Sequence, residues 1–146
     1  EPYIKRTAQG MILGEGGIKM SKSKGNVINP DSYLEKYGAD TVRIYEMFMG
    51  PFDQSIAWDD KGVTGIYRFL NRVWDLQDKV ADIEADKETQ NLIHKSIKKV
   101  GEDIDTMRFN TAVAQMMILV NHLDKIKSIS KEIFFVFSFY VLSSIS

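Results

Sequence analysis

The feature that most constrains this chain is a helical period that runs almost unbroken from Gly62 to Ile126. Val63, Ile66, Tyr67, Leu70, Val73 and Trp74 recur at three- and four-residue steps, with Arg68, Asn71, Arg72 and Asp75 on the opposite side. Ile93, Ile97, Val100, Ile104 and Met107 repeat the pattern, and Phe109, Ala112, Val113, Met116, Leu119, Val120, Leu123 and Ile126 do so a third time. Isolated helices of this length are marginal in water, so each apolar stripe needs a partner to cover it. Three such stripes in succession predict an antiparallel helical bundle, with Met116 and Met117 as core filler.

The front of the chain differs in kind. Met11, Ile12 and Leu13 form a short apolar run between Gly10 and Gly14, which reads as a buried strand without a sheet partner elsewhere in the sequence. Such a lone strand would leave residues 1–50 poorly stable in isolation. Glu15 to Asn26 is rich in glycine, lysine and serine and has no apolar period, so it reads as a loop. Asn29-Pro30-Asp31 is a turn or helix-start signal, with Asp31 and Ser32 suited to the first turn of a helix. Gly38 separates that helix from a second helical stretch, Ala39 to Met49, which Gly50-Pro51 ends. The change of character between Pro51 and Gly62 divides the chain into residues 1–55 and 56–146.

Composition narrows the function. With 44% hydrophobic residues and a formal net charge of -1, the chain is expected to fold rather than remain disordered, and it does not suit a protein that coats nucleic acid by charge alone. Cysteine is absent, which excludes a disulfide framework and a thiolate metal site. His94 reads as a surface helix residue and His122 as a bundle residue, too far apart for a metal cluster, so no metal site is expected. The front of the sequence lacks a basic segment followed by an apolar one, which points to a cytoplasmic setting. Ile133 to Ser146 carries no charge. It is shorter than the roughly 20 residues of a membrane span and reads either as a buried last helix or as an aberrant end following a frameshift near Ile133. No membrane partner is expected.

Charge is unevenly distributed. Residues 1–28 carry an excess of +3 and residues 75–105 an excess of -4, so anion binding belongs near the front. There, Ile18-Lys19-Met20-Ser21-Lys22-Ser23-Lys24-Gly25-Asn26 places three ammonium groups, two hydroxyls and a glycine within nine residues, with no carboxylate. Lysines on long stems, hydroxyls and close-approaching backbone N–H groups can surround a polyphosphate. Cations held where negative charge develops lower the barrier to nucleotidyl transfer. A solvated surface loop has the same composition.

The ordered string Lys19-Met20-Ser21-Lys22-Ser23, followed by Lys24-Gly25-Asn26, resembles the second signature of class I aminoacyl-tRNA synthetases. Tyr37-Gly38-Ala39-Asp40 is similar to the leucyl, isoleucyl and valyl subgroup. Thr41 to Pro51 followed by Trp58, Gly10 to Leu13 ahead of the loop and Arg68 to Trp74 behind it all resemble the bacterial-type leucyl branch. The resemblance covers residues 1 to about 126. It implies the α/β end of a Rossmann-type catalytic domain over residues 1–55, followed over 56–146 by the start of an all-α tRNA-binding bundle. The family's first signature, of His-x-Gly-His type, occurs nowhere in the sequence, so the leucine pocket, most of the parallel sheet and the editing domain would precede Glu1.

The activity implied is activation of leucine with ATP and Mg2+ to leucyl-adenylate and pyrophosphate, then transfer to tRNA(Leu). Leucine, ATP, tRNA(Leu) and the rest of a synthetase chain are therefore the expected partners. By this resemblance Lys22 would bind the ATP phosphates and stabilise the departing pyrophosphate, and Lys19 would support it. Met20 would anchor the loop by packing, while Ser21, Ser23, Gly25 and Asn26 would shape it. Gly14, Gly16, Gly17 and Gly25 are either hinges of a closing loop or plain turn residues. Arg68, Arg72 and Lys79 on the polar side of the first bundle helix either contact the tRNA backbone or are simply solvated. Trp58 and Trp74 read as core or junction packing rather than stacking platforms. Two other readings stand beside this one: a stand-alone helical tRNA-binding module, which the acidic middle disfavours, and the matching piece of an isoleucyl or valyl enzyme.

Overall fold

The computed structural model describes residues 2–145, with side chains to Phe139. In chain order it runs β1 (Ile12–Leu13), α1 (Pro30–Tyr37), α2 (Ala39–Phe48), β2 (Ile56–Ala57), α3 (Asp60–Asp75), β3 (Val80–Ala81), α4 (Lys87–Asp105), α5 (Phe109–Leu123), β4 (Ile129–Ser130) and α6 (Lys131–Ile145). Short 3-10 turns occupy Glu15–Gly17, Lys22–Lys24 and Leu76–Lys79.

Helix starts follow local side-chain chemistry. Asn29, Asp59 and Asp86 each accept a backbone N–H of the first turn, from Asp31, Lys61 and Thr89 respectively. Ser130 does the same for Ile133 of α6. Each satisfies a donor that has no partner inside its own helix. Gly38, at φ 84, ends α1 and begins α2 in a conformation that L-residues rarely adopt.

The expectation that the first strand has no partner is corrected by the structure. β1 pairs in parallel with β2, Ile12 opposite Ile56 and Leu13 opposite Ala57. The N–H groups of Ile56 and Trp58 donate to the carbonyls of Met11 and Leu13 at 3.0 and 2.9 Å. A two-residue strand carries too little pattern to be read from sequence, and β2 lies in the stretch that looked like a boundary. A second parallel pair, β3 with β4, joins Val80 to Ile129 and Ala81 to Ser130.

α4 and α5 form an antiparallel hairpin, as three cross-links with falling and rising numbers show: Thr89 with His122, Ser96 with Gln115, and Asp103 with Thr111. Their connection is a Schellman turn, in which Arg108 N–H reaches the Asp103 carbonyl and Met107 N–H the Ile104 carbonyl. Met107 occupies the left-handed position at φ 59, so it lies beyond α4 and does not continue that helix's stripe, contrary to the reading from periodicity.

One apolar cluster joins the elements, from Ile44 and Tyr45 on α2 through Val63, Ile66 and Phe69 on α3, Ile93 and Val100 on α4, and most of the α5 stripe, to Ile133 and Phe137 on α6. The α3 face is rotated from the expected one. Phe69 is buried, whereas Tyr67 is on the rim and Trp74 is 72% exposed. Packing from both α2 and α5 selects Val63, Ile66 and Phe69, a choice that three- and four-residue spacing leaves open. Trp74 is therefore not a core or junction residue among the described residues, while Trp58 is. On α6 only one side is covered: Ile133 and Phe137 are buried, but Phe135 and Phe139 are 74% and 64% exposed. The buried-helix reading holds for half of its described surface, and the side chains from Tyr140 to Ser146 lie outside the described residues. Among the described residues no helix is long and apolar enough to cross a membrane.

Candidate functional site

The lysine-rich loop hangs between β1 and α1, and both roots are fixed. Leu13 is tied through its carbonyl to Trp58. The Trp58 ring packs edge-on against Tyr33 of α1 and Tyr45 of α2, with centroids 4.9 Å away in each case. Its indole N–H donates to Asp60 Oδ1 at 2.9 Å, and the Tyr33 hydroxyl donates to the same oxygen at 2.6 Å. That hydrogen bond, followed by burial, holds the Tyr33 phenol above its usual range. Tyr45, raised mainly by burial, accepts the Asp59 N–H at 2.8 Å. An aromatic seat built from α1, α2 and α3 thus anchors the strand that leads into the loop.

Within the loop, a turn at Glu15–Gly17 uses Gly16 and Gly17 at φ 72 and 75. The Gly14 N–H then reaches the Ile18 carbonyl at 2.8 Å. The Lys22–Lys24 turn follows, closed by Lys24 N–H to the Ser21 carbonyl at 3.1 Å and Gly25 N–H to the Lys22 carbonyl at 3.2 Å. Gly25 takes the left-handed conformation, φ 64, that this closure requires. Asn26 spans the base: its Oδ1 accepts the Ser21 N–H at 2.8 Å and its Nδ2 donates to the Lys19 carbonyl at 3.3 Å. Ser21 and Ser23 share a hydroxyl–hydroxyl bond of 2.8 Å.

Lys19, Lys22 and Lys24 are exposed, and no carboxylate pairs with any of them among the described residues. Met20 is half-buried at the base. Three unneutralised ammonium groups on a closed turn can accept a polyanion without first breaking an ion pair. Beside the loop lies an open cleft of about 560 Å3 lined by Gly25, Asn26, Tyr33, Trp58 and Lys61 and by the carboxylates Glu15, Asp59 and Asp60. Among the described residues no group of three or more His, Asp or Glu side chains is placed to hold a metal ion.

The cations of the bundle behave differently from one another. Arg72 forms an ion pair with Asp124, with Nε at 2.6 Å from Oδ2, and reaches Asn121 Oδ1 at 2.8 Å. Lys79 donates to the Asp124 backbone carbonyl at 2.6 Å. Both tie the α3 end of the chain to the C-terminal end of α5, a partnership across about 50 residues that no local pattern signals. Arg68 is exposed, with no bonded partner among the described residues. His94 is exposed, and His122 hydrogen-bonds Thr89 at 2.8 Å. The Thr89 hydroxyl proton goes to Asp86 Oδ2, so His122 Nε2 is the donor in that pair.

The residues that position the loop, Trp58, Tyr33 and Asp60, were not singled out as a site from sequence. For Trp58 and Asp60 the sign that could have found them is the Trp58-Asp59-Asp60 run, seven residues beyond the Gly50-Pro51 breaker.

Residues 1–59 match the family described as tRNA synthetases class I (I, L, M and V). The chain is 58% identical over 122 residues to a leucine–tRNA ligase of Alkaliphilus oremlandii, covering 83% of this chain and 15% of that protein. It is 53% identical over 128 residues to a leucine–tRNA ligase of Leptospira biflexa, with the same coverages. The chain belongs to the leucyl-tRNA synthetase family. A solved ternary complex of Agrobacterium radiobacter K84 agnB2 LeuRS with tRNA and LeuAMS superposes with a TM-score of 0.77 at 30% identity, over 86% of this chain and 18% of that one. The chain thus spans about 15% of the length of the leucyl-tRNA synthetases it matches.

Proposed function

We propose that this chain supplies the ATP- and pyrophosphate-binding loop of a leucine-activating synthetase, together with part of its tRNA-binding bundle. Residues 1–55 then form the end of the nucleotide-binding catalytic domain, and residues 56–146 the start of the helical domain. The observation that carries this reading is the closed turn bearing Lys19, Lys22 and Lys24 exposed and with no carboxylate partner among the described residues, in a chain 58% identical over 122 residues to a leucine–tRNA ligase. The leucine carboxylate attacks the α-phosphorus of ATP, the bond to the β-phosphate oxygen breaks, and leucyl-adenylate and pyrophosphate result. Lys22 offsets the charge that gathers on the departing pyrophosphate, and Lys19 adds to the field; both act most strongly in the transition state. Met20, Ser21, Ser23, Gly25 and Asn26 hold the turn that carries them.

Mg2+ accompanies ATP in this reading as a substrate ion, and no step here passes through a protein-bound metal. The leucyl group then goes to tRNA(Leu). Of the three bundle candidates, Arg68, exposed and without a bonded partner among the described residues, is the one free to meet the tRNA backbone, while Arg72 and Lys79 keep the α3 surface in shape through Asp124. The reaction belongs to translation, with a cytoplasmic setting.

The test is leucine-dependent ATP–pyrophosphate exchange in the full-length protein that carries this chain. Lys22→Ala is expected to lower kcat by about a hundredfold or more, as removal of one charge-stabilising donor does, with the KM for leucine little changed. Exchange at the wild-type rate would refute the role. Isoleucine- or valine-dependent exchange in place of leucine would move the chain to a sister enzyme.

A further inference from the structure

We propose that Asn26 is a positioning residue for Lys22, acting as a brace that closes residues 19–26 into a ring and holds the ammonium group where it works. The inference rests on the role proposed above for Lys22.

Both halves of the Asn26 amide are committed to the loop's own backbone. The carbonyl oxygen takes the Ser21 N–H and the NH2 group gives to the Lys19 carbonyl. Lys22 begins the 3-10 turn inside that ring, and its own carbonyl accepts the Gly25 N–H. The residue that carries the charge is thus bonded on the side facing Gly25, while its neighbour Ser21 is bonded to Asn26. Without the brace, a run of glycine, serine and lysine would sample many conformers. Ordering those backbone residues costs conformational entropy, which substrate binding would then have to offset.

The brace also has a floor. A Cβ added to Gly14 would stand 3.0 Å from the Asn26 backbone carbonyl oxygen and 3.2 Å from its side-chain Nδ2. Gly14 has φ -70, which any residue tolerates, so space rather than backbone conformation is what calls for glycine there. Gly14 follows Leu13, the residue held by Trp58. The aromatic seat, β1, Gly14, Asn26 and the lysine turn therefore form one connected support.

The experiment is ATP–pyrophosphate exchange in the full-length protein with Lys22→Ala, Asn26→Ala, the double variant and Gly14→Ala. Asn26→Ala is expected to lower kcat by roughly tenfold to a hundredfold, the scale of a misplacement near 1 Å, with the leucine KM and the thermal midpoint unchanged. Because Asn26 acts through Lys22, the double variant should be no slower than Lys22→Ala alone. Gly14→Ala should give a smaller fall of the same kind. In this chain, Asn26→Ala should speed hydrogen exchange at the Ser21 amide, and Lys22→Ala should not.

Wild-type kcat in Asn26→Ala, losses that multiply in the double variant, or unchanged Ser21 exchange would each overturn the brace. Wild-type exchange in Lys22→Ala would instead refute the functional reading, whatever Asn26 does.

Discussion

Asp103 is fully buried in the corner between α4 and α5, and its carboxylate does three things there. It receives Lys99 Nζ at 2.6 Å, the Thr111 hydroxyl at 2.7 Å and Arg108 Nε at 3.3 Å. Burial by itself pushes its pKa up. The hydrogen bonds from Lys99 and Thr111, and the charges of Lys99 and Arg108, outweigh burial and hold it below the ordinary carboxylate range. A carboxyl depressed in the folded state adds stability that is complete above its unfolded pKa, about 3.9, and is lost as pH falls through the folded value. Acid should therefore loosen the α4–α5 corner below about pH 4. Asp103→Ala should lower unfolding stability at pH 7 by about 2–3 kcal/mol, a charge-assisted hydrogen-bond loss, less than for a fully enclosed pair because Lys99 and Arg108 can regain water. Urea titration of the variant at pH 7 and pH 3 checks both, and the difference from wild type should shrink at the lower pH. The sequence showed Asp103 only as one of nine acids in a negative stretch; that it is buried depends on a Schellman turn made with Met107, where a glycine would have announced the helix end. The loop site is the opposite case. Its residue types, and the fact that it is a loop, were readable directly, because lysines and serines without an apolar period have nothing to bury.

At the scale of elements, the helices separate glycines that matter from glycines that do not. A Cβ at Gly62 would lie 2.5 Å from Tyr45 Cε2, against a ring already fixed by Trp58. Gly62→Ala gains helix propensity, about 1 kcal/mol, but forces that ring aside, and overpacking costs about 1–3 kcal/mol. The net expectation is lower stability, read as a fallen Tm. Gly65 of α3 and Gly101 of α4 have nothing within 4 Å of an added Cβ, so Gly65→Ala and Gly101→Ala should raise stability by about 0.5–1 kcal/mol each. Thermal denaturation of the three variants checks the contrast. Existence and type of the five helices up to α5 were legible, since Pro30, Gly38, Gly50-Pro51 and long apolar periods mark them. Their facing was less so. Tyr67 and Trp74 fit the α3 period as well as Phe69 does, and only the simultaneous presence of α2 and α5 decides which side closes.

Across the whole molecule, the core passes through the stretch between residues 51 and 62 without a break, since Ile44 and Tyr45 pack with Val63 and Ile66. The chain should therefore unfold as a unit, with the aromatic seat of the loop lost together with the bundle. Phe137, 1% exposed on α6, gives the sharpest test. Phe137→Ala should cost about 3–5 kcal/mol. In a Trp74→Phe background, which leaves Trp58 as the reporter, Trp58 fluorescence and far-UV circular dichroism should shift to the same lower midpoint. Separate midpoints would mean two independent units. Local chemistry is legible in the order of residues: where helices start and stop, where the backbone must turn, and where nine residues gather three ammonium groups without a carboxylate, because capping, glycine conformations and side-chain charge act within a few positions. Tertiary structure alone decided the parallel pairing of β1 with β2, the capture of Arg72 and Lys79 by Asp124, the exposure of Trp74 and the narrow space over Gly14. Each of these depends on groups that meet across many residues, where apolar burial and backbone hydrogen bonding select one arrangement from several that the same pattern allows.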